Sequence, residues 1–229
     1  MPTSHPRRLI IAIDGPSGVG KGTVSRALAV ALGYRHIDTG AMYRAVAWAA
    51  GRRSLSLDDE ARIAALAEDV PLSLEGGVVL VDAIDVTRDI RTPEMDAAAA
   101  KVARMVRVRA ALVARQRAMG AGGGVVMEGR DIGTVVFPDA DVKIYLDAAA
   151  DERARRRAAD PAHGNSSQQL SEVATALAER DKSDQTRTAS PLTMAPDAVM
   201  IDTTGVPVAD VVERALSVVR RVHKGADGY

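Results

Sequence analysis

The stretch IIAIDGPSGVGKGT, residues 10–23, decides the fold. Its apolar beginning, up to Ile13, is long enough for one strand and far too short to cross a membrane. The run ends at Asp14-Gly15, and Gly18, Gly20, Lys21, Gly22 and Thr23 follow. The spacing Gly15-x-x-x-x-Gly20-Lys21 fits a phosphate-binding loop, in which successive backbone N–H groups close around an anion only where side chains stay clear. Val24, Leu28, Ala31 and Leu32 then recur at helical spacing, and Gly33 is a stop signal. A helix starting there aims its free N–H groups at the same anion. Strand, loop and helix stand in the order a P-loop requires. A glycine-rich βα turn that binds nothing would not need a lysine at position 21.

Composition narrows the classes. The 229 residues suit one α/β core with small insertions, or two domains at most. Lys plus Arg and Asp plus Glu number 30 each, so no global basic field draws the chain to nucleic acid or membrane. Cysteine is absent, which excludes disulfides, Cys-based zinc sites and a thiol nucleophile. Aromatic residues make up only 3%, too few for a base-stacking surface. The N-terminal MPTSHPRR precedes only a short apolar run, unlike a signal peptide, and a cytoplasmic protein is expected.

Further along, residues 34–37 are an expected second strand running into Asp38-Thr39-Gly40, with a helix from about Ala41. In a parallel sheet, residues just past a strand's C-terminal end face the ligand crevice. Thr39 offers a hydroxyl there or serves as an ordinary N-cap, while Tyr43 and Arg44 lie one turn onward. His36 and Trp48, single in apolar surroundings, are read as packed side chains. Residues 58–69 are an expected short helix. Residues 71–86 hold two strand-like runs about Gly76-Gly77, a hairpin and so an inserted lobe, with Arg88 and Arg91 at its exit. Residues 95–119 read as one long Ala-rich helix whose stripe of Ala98, Val102, Met105 and Leu112 includes Arg109. A guanidinium on that stripe needs a buried carboxylate or a ligand, and the ligand reading is favoured.

Gly122-Gly123-Gly124 ends that helix. A third strand, residues 125–127, runs into Glu128-Gly129-Arg130-Asp131, three charges at the crevice end of an apolar strand. Residues 141–147 are the fourth strand. Arg153, Arg155, Arg156 and Arg157 then crowd a helical start, and residues 160–167 form a loop-rich stretch suited to a mobile lid. The next helix has Leu170, Val173 and Leu177 on one face, and that face continues through Arg180, Asp184 and Arg187. Such a stripe packs with its first half and overhangs a polyanion with its second. Residues 198–201 are the fifth strand. Residues 208–222 close the chain as a helix with Val211, Val212, Leu216 and Val219 inward, before a frayed tail, 223–229. The expected architecture is α/β, with a five-stranded parallel sheet flanked by helices.

Gly22 after the lysine, with the hydroxyl delayed to Thr23, resembles the nucleoside monophosphate kinases more than the GTPases or motor ATPases. Together GPSGVGKGT (15–23), DTGAMYR (38–44), IRT (90–92), EGRDIGTVVFPDADVKIYLDA (128–148) and ERDKSDQTR (179–187) resemble the bacterial cytidylate kinases, which phosphorylate CMP and dCMP with ATP. The resemblance implies an adenylate-kinase-like CORE (1–66, 100–150 and 188–229), an NMP-binding insert (67–99) and a LID (151–187). It implies ATP on Gly15, Pro16, Ser17, Gly18, Val19, Gly20, Lys21, Gly22 and Thr23, with Mg²⁺ on Thr23 through water. The acceptor phosphate falls to Thr39, Tyr43, Arg44 and Arg130, the cytosine to Arg109 and Asp131, and the ribose to Asp184 with Arg180. Lys21, Arg130, Arg156, Arg180 and Arg187 are the implied catalytic cations, the choice among Arg153, Arg156 and Arg157 staying open. Ala100 stands where the family often has a serine near the cytosine amine, leaving more of the selection to Asp131. A monomer acting on free nucleotides is expected.

The base assignment has its own chemical sense. Cytosine carries an amine beside N3 and O2 acceptors, so a carboxylate plus a guanidinium complement it. Uracil would face Asp131 acceptor to acceptor, at a cost of about 1–3 kcal/mol. Two rivals stay open here: another small P-loop kinase acting on UMP, AMP or a non-nucleotide acceptor, and, from a different class, a nucleotide-binding regulator or nucleic-acid-associated P-loop protein.

Overall fold

The structure, a computed structural model, describes residues 8–160 and 170–226. The start of the N-terminal segment (1–7), the expected lid loop beyond Asp160 and the end of the expected tail (227–229) lie outside the described residues. Five parallel strands form the main sheet, β1 (Ile10–Asp14), β2 (Arg35–Asp38), β6 (Val125–Glu128), β7 (Val142–Asp147) and β8 (Val199–Asp202), in the order β2-β6-β1-β7-β8. Register brings the strand ends level, with Asp38 opposite Glu128, Asp14 opposite Tyr145 and Asp147 opposite Asp202. The loop after β1 therefore opens at the middle of the sheet, where strand order switches sides.

The period of two along β1 sorts its side chains. Ile11 and Ile13 join Val24, Leu28, Val211, Ala215 and Val219 from α1 (Lys21–Leu32) and α8 (Val208–Ala226) on one face. Ala12 faces the other way, toward Val113, Ile132 and Val136. Fully buried aliphatic side chains such as Ile13 and Leu28 contribute about 1.5–3 kcal/mol each. Gly33 caps α1 through N–H bonds back to Ala29 and Val30 carbonyls, as its stop signal predicts. The last helix runs four residues further than its apolar pattern indicates, to Ala226.

A third cluster joins α2 (Thr39–Arg52), α3 (Glu60–Asp69), α4 (Pro93–Val102) and α5 (Val106–Gly120) to the inserted hairpin. The hairpin pairs β3 (Leu72–Glu75) with β4 (Val78–Val81) about Gly76-Gly77, and a two-residue β5 (Ile84–Asp85) makes it three-stranded. Trp48 packs on this cluster, as expected, with the Arg52 guanidinium 5.4 Å from its ring centroid.

One sequence expectation is corrected, and one open alternative is decided. Residues 95–119 are not one helix: the chain breaks between α4 and α5, with Met105 extended (φ −74°, ψ 116°). The break frees the Ala103 carbonyl, which accepts a hydrogen bond from Arg109 Nη1 at 3.2 Å, so a polar side chain on the inward stripe helps divide the helix. Thr39 is not an N-cap. Asp38 caps α2, accepting from Ala41 N at 3.0 Å, while Thr39 Oγ1 donates to the Glu128 carbonyl at 2.7 Å. A π turn (Ile132–Val136) follows β6, where the sequence reading placed no element. Among the described residues no helix is long and apolar enough to cross a membrane.

Candidate active site

The P-loop wraps the end of β1 because two glycines allow it. A Cβ on Gly15 would overlap the Leu146 carbonyl oxygen of β7, and Gly20, the N-cap of α1, holds φ at +89°. Lys21, the first residue of α1, is buried and donates to the carbonyls of Gly15 and Pro16 at 2.7 and 2.6 Å. Burial, and then Arg130, push its amine well below the usual lysine range, while Glu128 and Asp14 oppose the shift. Without an anion, this ammonium is poorly compensated.

A crevice of about 920 Å³ opens beside the loop. Residues Ser17 to Thr23 line one flank, while Gly15 and Pro16 lie beneath it as the carbonyl partners of Lys21. Every other residue assigned a role from the sequence also faces this space: Thr39, Tyr43, Arg44, Arg109, Arg130, Asp131, Arg156, Arg180, Asp184 and Arg187. They come from α2, α5, the turn after β6, α6 (Ala150–Ala158) and α7 (Leu170–Thr186) with the residue that follows it. The α7 stripe holds except at its start: Val173 and Leu177 pack against Ala154 of α6, and beyond them Arg180 and Asp184 reach the crevice. Leu170, expected to pack, is 49% exposed in the first turn of α7.

Charge pairing inside the crevice is dense. Arg109, 3% exposed, hydrogen-bonds Asp131 and lies 5.4 Å from the centre of the Tyr43 ring. Arg130 Nε donates to Asp184 Oδ2 at 3.0 Å, and Arg187 Nη1 lies 3.5 Å from Asp184 Oδ1. Burial alone would raise the Asp184 carboxyl, but Arg130, Arg187 and Arg180 together hold it below the usual range. Burial also pushes the Tyr43 hydroxyl up to about 12, so it stays neutral. Arg109 Nε and Arg187 Nη2 are buried without a hydrogen-bond partner, donors that a ligand can satisfy.

Geometry divides Arg153, Arg156 and Arg157 of α6. Arg156 and Arg157 face the crevice, Arg156 bonding the Thr203 hydroxyl at 2.9 Å and its carbonyl at 2.6 Å. Arg153 instead braces the P-loop, through the Ser17 carbonyl at 3.3 Å and an ion pair with buried Asp181. His36 is not simply packed: its Nε2 is 2.8 Å from Glu128 Oε1 at the crevice floor. Sequence reasoning missed Asp96 and Thr203 as lining residues, while Arg157, left open there beside Arg156, also lines the crevice. Asp96 reads in sequence as an acid in a helix's first turn, after the Thr92 cap and Pro93.

The donor set suits a metal shared with a ligand. Among the described residues no group of three His, Cys, Asp or Glu side chains could cage an ion. Thr23 is exposed at the crevice, and Gly22 leaves room beside Glu128, whose Oε1 would lie 3.4 Å from a Cβ there. A hydroxyl and a carboxylate beside a phosphate cradle fit Mg²⁺, which keeps most of its waters and takes phosphate oxygens.

Asp14, missed in the sequence as more than a strand end, ties the two halves of the crevice. Its carboxylate accepts from Ile132 N at 2.8 Å and Gly133 N at 2.7 Å, fixing the π turn that begins beside Asp131. Burial raises its carboxyl from 3.8 to about 6, against the two N–H groups, with Asp131 adding to the rise and Lys21 opposing it. An acid whose folded value lies above its unfolded one costs stability when ionised in both states, so this site favours the fold as pH drops from about 6 toward 4. The stability of the parent relative to Asp14→Asn is expected to rise by about 2 kcal/mol between pH 7 and pH 4.5, read by urea unfolding. A pH-independent difference would show that the carboxyl does not titrate in this window.

Comparison with known proteins gives one consistent result. The family model described as Cytidylate kinase matches residues 11–221. The chain is 46% identical to "Cytidylate kinase" of Solibacter usitatus, over 99% of both chains. It is 48% identical to "Cytidylate kinase" of Pelotomaculum thermopropionicum, over 94% of this chain and 96% of that one. Among solved structures, shikimate kinase from Bacteroides thetaiotaomicron superposes with a TM-score of 0.50 at 11% identity, covering 93% of this chain and 98% of that one; it is a likeness of fold alone.

Proposed function

The chain belongs to the cytidylate kinase family, and from that premise we propose that it transfers the γ-phosphoryl group of MgATP to the 5′-phosphate of CMP and dCMP, yielding ADP and CDP or dCDP. One observation carries the reading: a P-loop lysine, a set of arginines from separate elements and the Arg109–Asp131 pair all face one crevice.

Residues 15–23 cradle the donor phosphates, and Lys21 exchanges its two carbonyl partners for β- and γ-phosphate oxygens. Thr39, Tyr43, Arg44 and Arg130 hold the acceptor phosphate. Arg109 and Asp131 read the cytosine, and Asp184 with Arg180 takes the ribose. An acceptor phosphate oxygen bonds to the γ-phosphorus as the bond to the β–γ bridging oxygen breaks, and ADP leaves. That acceptor, with a second pKa of about 6, is mostly dianionic at neutral pH and needs no strong base. The chain's work is positioning and neutralisation, with Lys21, Arg130, Arg156, Arg180 and Arg187 around the transferring group. Thr23, through water, and Glu128 would hold Mg²⁺, which supplies charge neutralisation on the donor phosphates.

The division into CORE, insert (67–99) and LID (151–187) belongs to the same proposal, the last two closing over the nucleotides to exclude water. The reading is of a cytoplasmic monomer acting on free nucleotides, without nucleic acid or membrane. A panel of nucleoside monophosphates with coupled ADP detection tests it. CMP and dCMP are expected to turn over fastest, with UMP roughly tenfold to a hundredfold poorer in kcat/KM. Equal turnover of UMP or AMP would overturn the substrate assignment, and oligonucleotide binding without ADP release would favour a regulator instead.

A further inference from the structure

Asp96 is one of several carboxylates lining the crevice, and arginines from three other helices converge on it. It stands in the first turn of α4, and its side chain is only 13% exposed. Its carboxylate hydrogen-bonds Arg157 of α6 and lies 3.6 Å from Arg180 of α7 and 3.7 Å from Arg44 of α2. All four side chains face the crevice, so guanidiniums from α2, α6 and α7 converge on this one acid of α4.

The pairing is electrostatically useful and geometrically poor. Arg180 is pressed by burial first and then by Arg130 and Arg44, with Asp96 and Asp184 opposing. Yet the Arg44 and Arg180 contacts with Asp96 exceed hydrogen-bond length; Arg44 Nη2 donates to Asp38 at 3.0 Å, and its Nε is buried without a hydrogen-bond partner. Two carboxylate oxygens carrying one charge offset only part of the charge on three guanidiniums and leave some of their N–H groups unused. A phosphate dianion has more acceptor oxygens and up to twice the charge for the same donors.

We propose that Asp96 is a built-in counter-anion that holds Arg44, Arg157 and Arg180 together in the nucleotide-free crevice, and that the substrate phosphate competes with it for them. The inference rests on the reading of this crevice as a phosphate-acceptor site. Asp96 thus sets how tightly the acceptor binds: it stabilises the empty site and weakens the filled one.

Asp96→Asn keeps the shape and removes the charge. Its KM for CMP is expected to fall roughly three- to tenfold with kcat changed less than about twofold, the scale of one partly exposed ion pair. Inorganic phosphate should protect the variant from thermal unfolding at correspondingly lower concentration, and the ligand-free variant should melt below the parent. Asp96→Glu, which keeps the charge, should restore a KM near the parental one. A KM that rises or stays unchanged in Asp96→Asn, or weaker protection by phosphate, overturns the proposal and makes Asp96 a group that positions the arginines for substrate. Should Asp96→Asn fail to fold, Asp96→Ser is judged by the same outcomes. The phosphate arm stands apart from the nucleotide: if phosphate responds as expected while CMP is not turned over, the substrate reading fails and this inference holds.

Discussion

Lys21→Ala is expected to lower kcat by about a thousandfold while leaving the fold intact. The rate effect follows from the proposed role: a single preorganised charge on a developing phosphoryl transition state carries about 10²–10³ in rate, and this lysine also anchors the donor. The stability effect follows from the empty site. The folded environment disfavours the ammonium, by burial and by Arg130, so its removal takes away an unfavourable charge along with two hydrogen bonds to its own loop. These changes oppose each other, and the melting temperature should move by only a few degrees. Single-turnover kinetics together with a thermal melt check both parts. Parental turnover in the folded variant would remove Lys21 from the mechanism.

The second large effect is expected at Asp131→Asn. Asp131 is the buried counter-charge of Arg109 and lies 3.8 Å from Arg187. Burial works against the charge on Arg109, but Tyr43 and Asp131 more than offset it, so its guanidinium holds its proton more firmly than usual. An asparagine keeps the shape but leaves two buried guanidiniums facing each other with less compensation. Breaking such a pair costs about 3 kcal/mol, near 10 °C in melting temperature for a chain of this size. Catalysis should suffer separately. The asparagine amide can present either a donor or an acceptor to the base, so kcat/KM for CMP is expected to fall about a hundredfold, with UMP changing far less. The decisive number is the CMP to UMP ratio in the folded variant. An unchanged ratio would mean that Asp131 holds Arg109 in place and does not read the base.

Contiguous signals were legible. The phosphate loop needs only neighbouring residues: strand, glycines, lysine and helix start all fall within residues 10–33, so their spacing carries the geometry. The five core strands and the α7 stripe were legible for the same reason, since an amphipathic period describes one element at a time. The helix break before Met105 was not, because its local sequence is Ala-rich and helix-favouring. A guanidinium on α5 takes the Ala103 carbonyl there, and side-chain periodicity does not report backbone acceptors.

What the chain determines unaided is the kind of site: an anion cradle on the central strand of a parallel sheet, arginines at the crevice ends of other elements, and one guanidinium on an apolar stripe. Only tertiary structure decides which charges meet. Asp14 reaches N–H groups more than a hundred residues away, His36 meets Glu128 across adjacent strands, and Arg153 turns to the P-loop while Arg156 and Arg157, three and four residues on, turn to the crevice. Asp96, an ordinary helix-start acid in sequence, becomes the centre of an arginine cluster for the same reason. Coulomb and hydrogen-bond energies depend on separations of a few ångströms, and helix packing and strand register set those separations between residues far apart in the chain.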